Sequence, residues 1–427
     1  MQKILIKNGK VIDPAQNING ETLDILVQSG KIAKLAKNIK ADADKVIDAS
    51  GKIVMPGIVD MHVHLREPGR EDKETVASAT AAALKGGVTS VLAMPNTQPA
   101  MDTKESLILL KKIVRASGLC NVFICAAITK ERQGKELTDI PGLNKSGAIA
   151  ISDDGASVDD ENLFLAAMKK AKAAGIPVIC HSEDKKLSGN GVVNRGIIST
   201  KLGLRGISRE SEYTRVERDI KLAEKAKATI HIAHVSCRES VELIKQAKKR
   251  GVRVTAETAP HYFSLDQDAL AGYDTNLKMN PPLREAADVE AIKQGLKSGV
   301  IDAIASDHAP HTENEKDIEF DRAEFGVIGL ETELAAGITE LVQKGVLDWP
   351  GLVKKFCLNP AKILGIDRGT LQIGKPADIM VVSPKDEWIV QKHGLASKSK
   401  NSAFIGKKLT GVAEYTVCNG NIAYQRL

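Results

Sequence analysis

Along the first fifty residues, apolar positions fall in short runs broken by glycine turns: ILIKNGKVID, DILVQSGKIAKL and KVIDASGKIVMPG. Such runs, punctuated by Gly and Asn, are the pattern of small-sheet strands joined by tight turns. The same pattern returns at the other end, in GTLQIGKPADIMVVS and LTGVAEYTVCNGNIAY. Between them the grammar changes. Unbroken apolar runs end in polar tips and alternate with segments of helical period. IVMPGIVDMHVH precedes KETVASATAAALKGG, GVTSVLAMPN precedes TKESLILLKKIVRAS, and NVFICAAIT leads to GAIAISDDG and ENLFLAAMKKAKAAG. IPVICHSED, TIHIAHVSC, VRVTAETAPHYF and VIDAIASDHAPH continue the alternation. Apolar runs of this kind suit parallel strands buried on both faces. Roughly eight strand-then-helix units close a (β/α)8 TIM barrel. An open doubly wound sheet would carry a Gly-rich phosphate turn after its first strand, and none is present. The expected architecture is therefore an α/β chain. Residues 55–365 form the barrel, and residues 1–54 and 366–427 form a small β-sandwich domain built from both chain ends.

Composition narrows the function without choosing it. The chain has 427 residues, 60 Lys+Arg against 54 Asp+Glu, and only 3% aromatics. Its basic residues are scattered over helix-like segments with no interleaved aromatics, which argues against nucleic-acid binding. Six cysteines show no CxxC pairing and mostly sit in apolar runs, so they read as reduced core residues of a cytoplasmic protein. No signal-peptide pattern or membrane-length apolar run is apparent.

Barrel enzymes carry their chemistry at the C-terminal strand tips. Here those tips hold His62, His64 and Arg66; Asn96; Asp153 and Asp154; His181, Glu183 and Asp184; His234; Glu257 and His261; and Asp307, His308 and His311. Histidines at i and i+2 on a strand share a face, so His62 and His64 can hold one ion. Imidazole and carboxylate donors suit Zn²⁺, which activates water and polarises a carbonyl. His231, three residues before His234, should face the opposite way and be structural. His308 reads as a packing or supporting residue, and His261 stays open.

At these motifs the chain resembles the amidohydrolase superfamily and, within it, the type I dihydroorotases. DMHVHLREPG, AMPNTQP, ISDDG, CHSED, HVS, NPPLR and SDHAPH follow in that family's order over essentially the whole length. The resemblance implies one or two zinc ions per subunit. His62, His64 and Asp307 would hold the first. Asp154 would bridge to a second, held by His181 and His234; strand parity alone leaves Asp153 and Asp154 undecided. Arg66, Asn96 and Asn280 would hold the substrate's α-carboxylate. His64 and His311 would also contact the substrate, and the Phe325–Gly326 backbone would hydrogen-bond the ring. The implied activity is that of a cyclic amide hydrolase. It is the reversible cyclisation of N-carbamoyl-L-aspartate to L-dihydroorotate plus water, in pyrimidine (UMP) biosynthesis, with Asp307 as proton carrier. A homodimer and a complex with aspartate carbamoyltransferase are further implications. Two other readings stand beside it. A hydantoinase or allantoinase would usually place a carboxylated lysine where ISDDG stands. A non-catalytic scaffold for aspartate carbamoyltransferase would have lost ligands that are all present here.

Overall fold

The computed structural model describes residues 2–426. Eight parallel strands form the barrel wall in chain order: Ile58–Val63, Val88–Ala93, Asn121–Ala126, Ala148–Ile151, Val178–Cys180, Ile230–Ile232, Val254–Thr258 and Ala303–Ile304. The eighth meets the first through a parallel bridge between Val63 and His308, and the His64 N–H donates to the His308 carbonyl at 2.9 Å. Side chains from alternate positions, among them Val59, Met61, Leu92, Met94, Cys125 and Ile179, pack as one buried cluster with Ala361 and Leu364 of helix Asn359–Leu364. The opposite strand faces join the larger core shared with the surrounding helices. Burial on both faces is why these strands read as unbroken apolar runs.

Helices follow where their caps permit. Thr75 and Thr103 each accept the N–H three residues on, starting Val76–Lys85 and Lys104–Ser117. Asp160 starts Glu161–Ala174, and Gly175, at φ 72°, ends it. Two connections depart from the expected pattern. After the third strand the helix is only Ile140–Lys145, a six-residue turn containing Pro and Gly that leaves no periodic signature. After the eighth strand, helix Glu333–Gly337 widens into a π turn over Ile338–Val342. There a Cβ on Gly337 would lie 2.8 Å from the Phe356 ring, so glycine allows the close approach.

Both chain ends build the second sheet. Ile4–Asp13 pairs with Ile18–Gln28, Lys45–Asp48 and Ile53–Pro56, and Ile53–Pro56 pairs antiparallel with Ile379–Ile389. Lys408–Cys418 and Asn421–Gln425 extend it. Its own buried cluster includes Ile4, Ile25, Val54, Ile379 and Val417. Ile53–Pro56 leads directly into the first barrel strand, so this sheet anchors the strand that carries His62 and His64. Segment 185–213 holds two short helices and a two-stranded parallel ladder. All six cysteines are buried and unpaired. Among the described residues, no helix is long and apolar enough to cross a membrane.

Candidate active site

Six of the side chains singled out as ligands converge at the C-terminal mouth of the barrel. His62, His64 and Asp154 form one cluster of potential metal donors; Asp154, His181 and His234 form a second, so Asp154 belongs to both. His62 Nε2 lies 3.2 Å from Asp154 Oδ1 and 3.6 Å from Asp307 Oδ1. His64 Nε2 lies 3.2 Å from Asp307 Oδ1 and 3.6 Å from Asp154 Oδ2. On the other side, His181 Nδ1 and His234 Nε2 are 2.9 Å apart and stand 3.8 and 3.9 Å from Asp154 Oδ1. Asp153 turns away. Its carboxylate accepts the Ile128 and Thr129 N–H groups at 2.8 and 3.1 Å and pins the neighbouring loop.

Three strand-tip residues reach this arrangement through left-handed backbone: Arg66 at φ 61°, His234 at φ 37° and Asp307 at φ 48°. Such non-glycine conformations cost roughly 1–3 kcal/mol each and cluster at functional sites. The turn at His234 defeats the parity argument. His231 does not lie on an outer face. Its Nε2 lies 3.2 Å from Glu257 Oε2 and its Nδ1 lies 2.8 Å from Thr255 Oγ1, directly behind the donor cluster.

Each of three histidines is held by its far nitrogen. His62 Nδ1 donates to Glu257 Oε1 at 2.8 Å, His64 Nδ1 to Asn96 Oδ1 at 2.8 Å, and His181 Nε2 to Glu183 Oε2 at 3.2 Å. A carboxylate or amide oxygen there fixes the tautomer, so the opposite nitrogen presents its lone pair to the cluster. Glu257 and Glu183 lie at strand tips in the sequence, but nothing there says which histidine each one holds.

The donor set fits a metal. His62 Nε2 is buried without a hydrogen-bond partner while facing two carboxylates. His62 is drawn well above its ordinary pKa: burial works against protonation, and Asp154 and Asp307 outweigh it. Asp154 is held well below the usual carboxylate range, burial opposing and His62 and His234 prevailing. A pocket that gathers protons around two buried carboxylates is one a cation would fill.

The rim beyond Asp307 carries positive charge. The Arg66 Nε–H donates to the Pro310 carbonyl at 3.1 Å, and burial draws its guanidinium down to about 10, still cationic at neutral pH. His311 Nε2–H donates to the Phe325 carbonyl at 2.8 Å, and Lys73 Nζ donates to His311 Nδ1 at 3.0 Å. Lys73 also meets Glu315 at 2.9 Å. Burial, then Arg66 and Lys73, keep His311 neutral. Lys73 carries no signal in the sequence, because it meets His311 only through tertiary packing; Glu315 follows His311 by four residues and lies 3.5 Å from it, a local spacing that could have found it.

Asn280 and Gly326 stand at this rim with partners already made. Asn280 Nδ2 donates to Glu183 Oε2 at 3.0 Å, and Gly326 N–H donates to the Lys278 carbonyl at 2.9 Å. The Phe325 carbonyl keeps a second lone pair for a ligand, whereas the Gly326 N–H has nothing left to donate. His308 supports the strand-eight turn, its Nδ1 accepting the Gly329 N–H at 3.2 Å. His261 packs edge-on against Tyr262, and burial draws it down to about 4.

Known proteins bear on this geometry in two ways. A family model described as Dihydro-orotase-like matches residues 51–240. The dihydroorotase of Geotalea daltonii is 53% identical over 424 residues, covering 99% of both chains. That of Elusimicrobium minutum is 53% identical, covering 98% of this chain and 97% of its own. Among solved structures, the L-hydantoinase (dihydropyrimidinase) of Arthrobacter aurescens superposes with a TM-score of 0.89 at 26% identity, over 100% of this chain and 96% of its own. A D-hydantoinase crystal structure gives 0.87 at 25% identity, over 100% of this chain and 95% of its own.

Proposed function

The chain belongs to the dihydroorotase family and is a cyclic amidohydrolase, and we propose that it interconverts N-carbamoyl-L-aspartate and L-dihydroorotate at a zinc centre whose ligands are His62, His64, Asp154, His181, His234 and Asp307. The observation that carries this reading is the pair of donor clusters sharing Asp154, with Arg66 on the adjoining rim. Histidine and carboxylate donors match zinc, which when bound lowers the pKa of a coordinated water and polarises an amide carbonyl.

The chain's own residues then divide the work. Arg66 offers a planar fork to the substrate's α-carboxylate, bidentate in a way an ammonium is not. Asn96 spends its Oδ1 on His64, leaving its NH₂ end to donate to the same carboxylate. The Phe325 carbonyl accepts a ring N–H on its second lone pair. Asp307 is held well below the usual carboxylate range, burial opposing and His62 and His64 prevailing, so it enters the reaction ionised. In ring opening, water adds to the ring amide carbonyl and Asp307 takes its proton. The C–N bond breaks, and Asp307 returns the proton to the departing nitrogen. In ring closure Asp307 takes a proton from the ureido nitrogen as that nitrogen attacks the side-chain carboxyl, then returns it to the departing hydroxyl, which leaves as water.

The strand-four tip favours this substrate over a hydantoin. It presents Asp153 and Asp154 with no lysine, and the neighbouring rim selects an anion. Assays with dihydroorotate, hydantoin and allantoin decide the matter: turnover of dihydroorotate alone is expected, and turnover of the other two without it removes the reading. The same proposal places the enzyme in the cytoplasm, in pyrimidine synthesis, as a homodimer able to associate with aspartate carbamoyltransferase. Sedimentation with and without the transferase tests the assembly.

A further inference from the structure

We propose that Lys316 is a positioning residue for substrate recognition, its buried ammonium fastening the Phe325–Gly326 turn to the loop that carries Asn280. Lys316 is 5% exposed. Its Nζ donates to three main-chain carbonyls: Glu324 at 2.8 Å, Gly326 at 3.0 Å and Lys278 at 3.4 Å. An ammonium has three donors and no acceptor, so all three are spent on backbone. Among the described residues it makes no ion pair. Burying a cation this way costs more than burying an apolar side chain of similar volume. What the ammonium alone does is draw three carbonyls from two separate loops to one point.

Those carbonyls belong to the substrate-facing rim. Lys278 lies two residues before Asn280, and its own carbonyl also accepts the Gly326 N–H. Asn401, 3% exposed, holds the turn as well. Its Nδ2 donates to the Ala309 and Gly326 carbonyls, each at 3.1 Å, and its Oδ1 accepts the His311 N–H at 3.2 Å. Gly326 has φ +131°, and a Cβ there would meet Ala309 Cβ at 2.7 Å and His311 Nε2 at 3.2 Å. Glycine is what lets the turn sit this close to Ala309 and His311, and in that seat its Phe325 carbonyl meets His311 Nε2 at 2.8 Å. Lys316 and Asn401 both donate to the Gly326 carbonyl and hold it there. Burial, then Lys278, draws Lys316 down to about 7, while Asp274, Glu324 and Glu315 face it and favour its charge.

The role rests on Asn280, His311 and Phe325 as substrate contacts, and predicts an effect on binding rather than on chemistry. The test uses the full-length, zinc-loaded enzyme. Lys316→Ala should raise KM for dihydroorotate about tenfold while kcat stays within about threefold and zinc content is unchanged. Backbone amide exchange over residues 324–328 should quicken. A cavity of about 540 Å³ lined in part by Lys316, Thr312 and Asn401 gives a small amine a route to the vacated space. Ethylammonium should accordingly restore KM in K316A and leave K316M, whose stem fills the space, unrepaired. A KM within about twofold of the parent's overturns the proposal, as does a rise that ethylammonium leaves untouched. If K316A fails to fold, K316M must show the same rise in KM, and an unchanged value overturns the proposal equally. His311→Ala run alongside separates the two readings: an unchanged KM there removes the rim as the recognition surface, whatever K316A shows.

Discussion

The proposed mechanism gives Asp307 two jobs that one substitution pulls apart. An asparagine in its place keeps an oxygen for a metal but loses the capacity to carry a proton. Asp307→Asn is expected to lower kcat by about 10³ or more, with far-UV circular dichroism unchanged. Retained turnover would take Asp307 out of proton transfer. Glu257 acts at one remove, since it touches the far nitrogen of His62 and not the donor cluster. Glu257→Gln should weaken zinc affinity about 10–100-fold, read by competition with a chelator of known affinity. A dissociation constant equal to the parent's would leave Glu257 with packing alone. At this scale the sequence told residue type and strand tip well, because the chemistry of a strand end is written in its letters. It could not tell direction. His234 at φ 37° turns against the alternation of its strand, so parity misplaced His231; no letter announces left-handed backbone at a histidine.

Among elements, the long ones were legible and the short ones were not. Strands buried on both faces and helices with clear caps print their period on the chain. The turn Ile140–Lys145 is too brief to do so, and the π widening at Ile338–Val342 depends on Phe356 packing against Gly337. Segment 185–213 gave no period either, because its order comes from outside it. Arg284, 2% exposed, donates to Asn194 Oδ1 at 2.9 Å, Ser236 Oγ at 3.0 Å and Glu212 Oε2 at 3.3 Å, joining that segment to the sixth strand's loop and to helix Glu210–Ala226. Removing one partner of a buried pair leaves the other charge stranded. Arg284→Met should therefore cost about 3 kcal/mol, seen as a lower urea midpoint at unchanged slope. A midpoint equal to the parent's would show that the segment is held by other means.

For the molecule as a whole, the proposed metal site would link stability to metal. Asp154 and Asp307 are buried against four histidines, and a cation bound only by the folded chain stabilises it by about 4 kcal/mol at a thousandfold excess over its dissociation constant. Chelated protein should melt several degrees lower and recover when zinc is returned. A melting temperature indifferent to chelator would mean the donors are not a metal site. The two-part architecture was legible because its halves speak different grammars, short glycine-broken runs at the ends and unbroken apolar runs alternating with helical segments in the middle. The joining of the two ends into one small β domain was an inference from that likeness; expected as a sandwich, it is built as one sheet, in which Ile53–Pro56 pairs with Ile379–Ile389.

That pairing also sets a timetable. On a ribosome Ile53–Pro56 emerges about 320 residues before the strand that covers its edge. At ~5–20 residues per second the edge waits roughly 15–65 s with its backbone groups unpaired. The strand that anchors His62 and His64 is thus among the first made and the last secured. Nascent chains halted before residue 379 should accumulate on holdase chaperones, whereas those released after residue 418 should not.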